Sequence, residues 1–132
     1  MVNRVIICAD GASLGNPGLA AIGATIKDKQ GRLITSISRR IGRTTNNQAE
    51  YQALIAALEE AIRLGAIEVD ISLDSELVVK QINGKYRVKA ASLKPLYQKA
   101  KQLQSQLKGF TVSYIPRQQN KEADSLANMA LK

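Results

Sequence analysis

The stretch that decides the fold is VIICADGASLGNPG, residues 5–18. Its apolar first half predicts a central strand that ends at Asp10 and is covered on both faces. A period of two places Ile6, Cys8 and Asp10 on one face of that strand. The strand therefore brings a carboxylate to the edge of the core, where it needs hydrogen-bond donors or a cation. Asp10 either begins a turn or binds a metal ion. The dipeptide Asp-Gly is common at the start of turns, so by itself it favours the first interpretation.

Composition limits the chemistry. With 132 residues, of which 45% are hydrophobic and 23% charged, the chain has the size and polarity of one soluble domain over residues 1–132. It has no histidine, which excludes imidazole bases and histidine metal ligands. Its one cysteine, Cys8, forms neither an internal disulfide nor a cysteine-based zinc site. Oxygen ligands remain, and they favour a hard cation such as Mg²⁺ or Mn²⁺.

The location of the protein is predicted from the apolar segments. No apolar run approaches the length of a membrane span, and only five uncharged residues separate Arg4 from Asp10, too few for a signal peptide behind Met1. We therefore expect a cytoplasmic protein with no membrane partner, and a monomer.

Positive charge is concentrated in one part of the chain, whose net charge is +8. No acidic residue lies between Leu77 and Lys121. The bases of this stretch are Lys80, Lys85, Arg87, Lys89, Lys94, Lys99, Lys101, Lys108, Arg117 and Lys121. Helical surfaces usually mix both signs. The run therefore indicates a polyanionic partner, with a plain solubilising surface as the alternative.

Strands and helices alternate along the rest of the chain. The predicted elements, in order, are a loop over 11–18, strands over 20–28 and 32–41, a connector over 42–47, a helix over 48–64, a strand over 67–74, a short helix up to 82, a basic loop over 85–91, a helix over 92–107, a strand over 110–115 and a helix over 120–131. Tight connections make the first three strands antiparallel, and helical crossovers make the later strands parallel. Thr45 or Asn46 is expected to cap the first helix, and Asn120 the last.

Three further acidic residues occupy positions at the edge of the predicted core, where a charged side chain is unusual. Glu50 falls on the buried stripe of its helix, in the predicted first turn. Asp74 ends a strand, and Asp124 lies in the first turns of the last helix. Stabilisation of the helix dipole is the simple alternative for Glu50 and Asp124. Because the carboxyl ends of parallel strands gather at one edge, we expect a site there.

Four motifs together resemble the ribonuclease H family, type 1, in the single-domain form without a basic protrusion. They are DGASLGNPG at 10–18, TTNNQAE at 44–50, DS at 74–75 and NKEAD at 120–124. The resemblance implies an α/β fold with a five-stranded mixed sheet, three antiparallel strands followed by parallel strands, flanked by helices. It also implies endonucleolytic cleavage of the RNA strand of RNA/DNA hybrids, giving 5'-phosphate and 3'-hydroxyl ends.

The resemblance implies a role for each carboxylate in a site with two Mg²⁺ or Mn²⁺ ions. Asp10 would bridge both ions, and Asp124 would complete the site of the ion that activates water. Glu50 and Asp74 would hold the ion at the leaving 3' oxygen. Such a site supplies the nucleophile and offsets the charge that grows on the phosphate.

The resemblance also implies contacts with the hybrid. Asn16, Asn46 and Gln48 would meet the minor groove and the 2'-hydroxyls, and Thr45 would belong to a phosphate pocket. The other candidate contacts are Gly11, Ser13, Lys85, Lys89 and Arg117. Arg117 stands in the loop where the family often has a histidine, and it cannot act as a general base.

Other functions stay open from the sequence. A nuclease of the same fold could prefer another duplex, such as double-stranded RNA. A binding module without cleavage would keep the bases but lose a carboxylate, whereas all four are present. A structural or protein-interaction domain would not need the acid-free basic stretch.

Overall fold

The structure, a computed structural model, describes residues 3–132. Its elements are β1 (Arg4–Ser13), β2 (Gly18–Lys27), β3 (Leu33–Thr44), α1 (Asn46–Arg63), β4 (Glu68–Leu73), α2 (Glu76–Ile82), α3 (Lys94–Gln104), β5 (Gly109–Tyr114), a 3₁₀ turn (Arg117–Gln119) and α4 (Lys121–Leu131). Met1 and Val2, the start of the predicted domain, lie outside the described residues. One domain over residues 1–132 stays a prediction.

The five strands form one mixed sheet in the order β3-β2-β1-β4-β5. The pairs β1–β2 and β2–β3 are antiparallel, while β1–β4 and β4–β5 are parallel. This confirms the predicted fold class. The first three strands are joined by short turns, whereas each parallel strand follows a helical crossover, which such pairing requires.

The central strand is buried more completely on one face than on the other. Val5, Ile7 and Ala9 are inaccessible to solvent and belong to the core that includes α1. On the opposite face Ile6 is 38% exposed and Cys8 is half-buried. The prediction of a strand covered on both faces was therefore wrong for its first half. The reason is that α4 crosses the sheet closely at Gly23, which pairs with Asp10 in the second half of β1, and leaves Ile6 near the start of β1 partly open.

Several predicted boundaries shift because strand pairing extends past the apolar runs. The strand β1 continues through Ser13, which pairs with Ala20, so the predicted loop over 11–18 shrinks to residues 14–17. Similarly β3 continues to Thr44, which pairs with Gly18. Backbone hydrogen bonds to a neighbouring strand override the turn preference of small polar residues. The helix α3 is shorter than the predicted 92–107, since its ends form turns.

The helix caps were predicted in part. Thr45 caps α1, with Gln48 returning the bond in a capping box, as expected. Asn120 occupies the N-cap position of α4, but its side chain makes no capping bond, so that prediction was wrong. Among the helices of residues 3–132, none combines the length and the apolar character needed to cross a bilayer.

Candidate active site

Three carboxylates from separate elements converge at the carboxyl end of β1. Asp10 lies on β1, Glu50 on α1 and Asp74 directly after β4. One carboxylate oxygen of each lies within 4.8 Å of the others. Asp124, on α4, lines the same cavity of about 420 Å³ but is not a member of this close group. All four acids that the sequence singles out therefore meet at one edge of the sheet.

Gly11 allows α1 to approach β1 closely enough for Glu50 to reach Asp10. A Cβ atom on Gly11 would lie 2.3 Å from the carbonyl carbon of Ala49, which is backbone and cannot move aside. The amide of Gly11 donates to Oε1 of Glu50 at 2.9 Å. Glu50 lies in the second turn of α1 rather than the predicted first, so stabilisation of the helix dipole does not explain it.

Gly11→Ala should therefore destabilise the protein and separate Glu50 from Asp10. Overpacking of this kind costs about 1–3 kcal/mol or more, and urea denaturation measures it. Gly109→Ala is the matched control, because the nearest atoms to its Cβ would all belong to the flexible side chain of Glu68, the closest being Cγ at 3.2 Å. Equal stability of Gly11→Ala and wild type would contradict the close approach.

The fourth carboxylate is held by two side chains. Nδ2 of Asn128 donates to the backbone oxygen of Asp124 at 2.9 Å and to Oδ1 at 3.2 Å. A guanidinium nitrogen of Arg117 lies 3.6 Å from the same Oδ1. Sequence reasoning identified Arg117 but missed Asn128. The i, i+4 spacing from Asp124 on a helix was the signal that could have found it.

The electrostatics of the site call for a cation. Burial raises the pKa of Asp10, which is 4% exposed, and the neighbouring Glu50 carboxylate raises it further. Burial also raises the pKa of Glu50. Within residues 3–132, Oε2 of Glu50 is buried and has no hydrogen-bond partner. Clustered, desolvated carboxylates with an unpartnered oxygen fit a hard divalent cation such as Mg²⁺ or Mn²⁺.

Ser13 and Asn46 line the carboxylate cavity, and together with Asn16, which is hydrogen-bonded to Asn46, they form a polar ledge. Oδ1 of Asn16 accepts from the backbone amide of Asn46 at 3.0 Å, and Oγ of Ser13 lies 2.6 Å from Oδ1 of Asn46. These bonds dock the β1–β2 turn on the N-terminus of α1. Oε1 of Gln48 is already engaged by the backbone amide of Thr45 at 3.1 Å. Contacts of these residues with nucleic acid stay predictions.

The predicted basic contacts divide into two places. Arg117 lines the carboxylate cavity. Lys85 and Lys89 instead lie in the loop between α2 and α3, where two adjoining cavities of about 580 and 560 Å³ both include Lys85, Tyr86 and Arg87. The structure therefore does not bring Lys85 and Lys89 into the carboxylate cavity.

Comparison with known proteins shows the family. The profile of the family described as "Reverse transcriptase-like" matches residues 8–130. The crystal structure of RNase H1 from the archaeon Halobacterium salinarum superposes with a TM-score of 0.95, at 41% identity over 98% of both chains. The chain belongs to the ribonuclease H family. This confirms the resemblance read from the four motifs.

Other ribonuclease H relatives differ in length. The bifunctional protein Rv2228c of Mycobacterium tuberculosis is 44% identical over 97% of this chain, which spans 35% of that protein. The chain spans 64% of the ribonuclease HI of Halobacterium salinarum. LC11-RNase H1, solved in complex with an RNA/DNA hybrid, is 41% identical over 96% of this chain and 95% of its own, with a TM-score of 0.91. The individual roles of the carboxylates stay predictions.

Proposed function

We propose that this protein is an endonuclease that hydrolyses the RNA strand of RNA/DNA hybrids and leaves 5'-phosphate and 3'-hydroxyl ends. The observation that carries the proposal is the cluster of Asp10, Glu50 and Asp74 within 4.8 Å, in a ribonuclease H fold. A family relative solved with an RNA/DNA hybrid supports the choice of substrate.

Two Mg²⁺ or Mn²⁺ ions would be held by Asp10, Glu50, Asp74 and Asp124. When bound, such ions activate water and offset charge on the phosphate. The protein's part is to hold the carboxylates in place. Gly11 fixes one oxygen of Glu50 at 2.9 Å and leaves the other without a protein partner among the described residues.

Arg117 is proposed to contact the phosphate at the edge of the cavity. Its side chain is 78% exposed and lies 3.6 Å from Asp124, so its remaining donors face solvent. A guanidinium stays charged and donates hydrogen bonds, hence Arg117 can bind an oxyanion but cannot accept a proton.

The polar ledge is proposed to contact the minor groove of the hybrid, together with Gln48. Thr45 is proposed to belong to a pocket for a backbone phosphate, and Gly11 is a further candidate contact. Amides and hydroxyls placed beside the carboxylates suit recognition of 2'-hydroxyl groups and groove shape, which is how proteins distinguish RNA-containing duplexes. The hydrogen bond from the backbone amide of Asn46 to Oδ1 of Asn16 pre-organises the ledge before substrate arrives.

The proposal is tested with four labelled substrates: RNA/DNA hybrid, double-stranded RNA, double-stranded DNA and single-stranded RNA. Each is incubated with Mg²⁺, with Mn²⁺, and with EDTA. We expect metal-dependent cleavage of the hybrid above all others. Preferential cleavage of double-stranded RNA would replace the proposed substrate, and no cleavage of any substrate would indicate a binding module.

The basic loop of Lys85, Arg87 and Lys89 is proposed to bind the phosphate backbone at a distance from the chemistry. Within residues 3–132, none of the three forms an ion pair with an acidic group. Changing all three to alanine should weaken hybrid binding and reduce the slope of log K against log salt by up to about 0.9 per lost contact. Fluorescence anisotropy at several salt concentrations measures both.

A charge-matched control for the basic loop lies at the opposite end of the sheet. Lys29 and Arg32 flank the β2–β3 hairpin, and Lys108 precedes β5, so all three are remote from the carboxyl end of β1. Their triple alanine variant lowers the net charge equally. If both variants change the salt slope to the same extent, the basic loop makes no specific contact.

We further propose that the protein acts as a monomer in the cytoplasm, as one domain over residues 1–132. A single chain supplies all four carboxylates, so the site needs no second copy. Cys8 is a free thiol and needs no oxidising compartment.

A further inference from the structure

Asn120 is a buried amide at the start of α4. It is 1% exposed and follows directly on the 3₁₀ turn. Its Nδ2 donates to the backbone oxygen of Ala9 at 2.9 Å and to Oδ2 of Asp74 at 3.3 Å. One side chain thus links the residue before Asp10, the carboxylate after β4 and the helix that carries Asp124.

Both partners of Asn120 accept hydrogen bonds, since one is a backbone carbonyl oxygen and the other a carboxylate oxygen. A carbonyl oxygen and a carboxylate together require two donors from one atom, and a primary amide nitrogen supplies them. An aspartate of the same shape would place an acceptor against both. This position therefore requires the two donors of an amide nitrogen, and a small polar residue without them does not suffice.

The stability of α4 does not explain the amide. The side chain makes no capping bond, whereas serine at the same position could cap the helix. Within residues 3–132, Oδ1 of Asn120 is buried without a hydrogen-bond partner, which opposes folding. What the amide does achieve is a fixed orientation for the carboxylate of Asp74.

We propose that Asn120 is a positioning residue that orients Asp74 for cation binding. It touches no substrate and acts only through that carboxylate, much as outer-shell partners orient metal ligands elsewhere. This inference rests on the proposed function, because it assumes that Asp74 holds a divalent cation.

The test is a calorimetric titration of the metal-free protein with Mn²⁺, without nucleic acid. Asn120→Ala and Asn120→Ser should both weaken Mn²⁺ binding about 10- to 100-fold. Serine is included because it could add a helix cap but is too short to reach Asp74, so at least one variant is expected to fold. Asn83→Ala is the matched control, since Nδ2 of Asn83 donates to the backbone oxygen of Val112 at 3.2 Å, away from the carboxylates.

The Asn120→Ser change made in the Asp74→Asn protein distinguishes positioning of Asp74 from general destabilisation. In Asp74→Asn, the Asn120→Ser change should cause no further loss of Mn²⁺ affinity, because its target carboxylate is gone. Wild-type affinity in Asn120→Ser, or an equal loss in both backgrounds, would overturn the inference while the metal site stands. If wild-type protein binds no Mn²⁺, the proposed function fails, and the inference fails with it.

Discussion

Asp10→Asn should reduce cleavage of an RNA/DNA hybrid about a thousandfold or more. Asp10 lies on the central strand, and one of its carboxylate oxygens lies within 4.8 Å of an oxygen of both Glu50 and Asp74. Its loss removes several kcal/mol of metal-dependent charge stabilisation, and each 1.4 kcal/mol corresponds to a factor of ten in rate. Single-turnover kinetics with saturating Mg²⁺ measures the loss.

Asp28→Asn is the control for that loss. Asp28 lies beyond β2, at the end of the sheet opposite the carboxylates, where it accepts from the backbone amides of Gln30 and Arg32. Its replacement removes a charge of the same kind and should leave the cleavage rate unchanged. Cleavage by Asp10→Asn at a rate near that of wild type would contradict the assignment of the site.

The metal-free protein should become less stable as the pH rises from about 4 through the neutral range. Because burial raises the pKa of Asp10 and of Glu50, the folded state keeps protons that the unfolded chain releases. Their contribution to stability is complete below the ordinary carboxyl pKa of about 4 and is lost as the pH rises through the raised pKa. One retained proton lowers the unfolding free energy by about 1.4 kcal/mol per pH unit.

Urea denaturation in EDTA between pH 5 and pH 8 measures this slope. Asp10→Asn should flatten it and be more stable than wild type at neutral pH, because the variant has no carboxylate to desolvate at residue 10. Added Mg²⁺ or Mn²⁺ should also flatten the slope, since a cation replaces the protons. An equal slope in wild type and Asp10→Asn would show that Asp10 does not cause the pH dependence.

Much of this site could be predicted from the sequence, because its acidic residues stand out against the apolar pattern of the strands and the helix that carry them. Asp10 and Asp74 stand at the ends of predicted strands, and Glu50 falls on the apolar stripe of a helix, so local periodicity alone places them beside the core. The alternation of helices with strands predicts the parallel pairing that brings Asp74 beside Asp10.

What the sequence did not reveal depends on contacts between distant segments. Asn120 was predicted as a cap, because an asparagine before a helix usually is one. One of its two partners, Ala9, lies 111 residues away and offers a backbone oxygen, which has no signature in the sequence. Likewise, the extension of β1 to Ser13 reflects pairing with Ala20 and not the preference of either residue.

Cleavage of a hybrid whose RNA and DNA strands carry different fluorophores tests the central claim most directly. The purified protein is incubated with this hybrid in Mg²⁺, and both strands are sized on a denaturing gel, beside an EDTA control and Asp10→Asn. We expect internal cuts in the RNA strand, an intact DNA strand, and no cuts in either control. An intact RNA strand in Mg²⁺, or RNA cleavage that persists in EDTA or in Asp10→Asn, would contradict it.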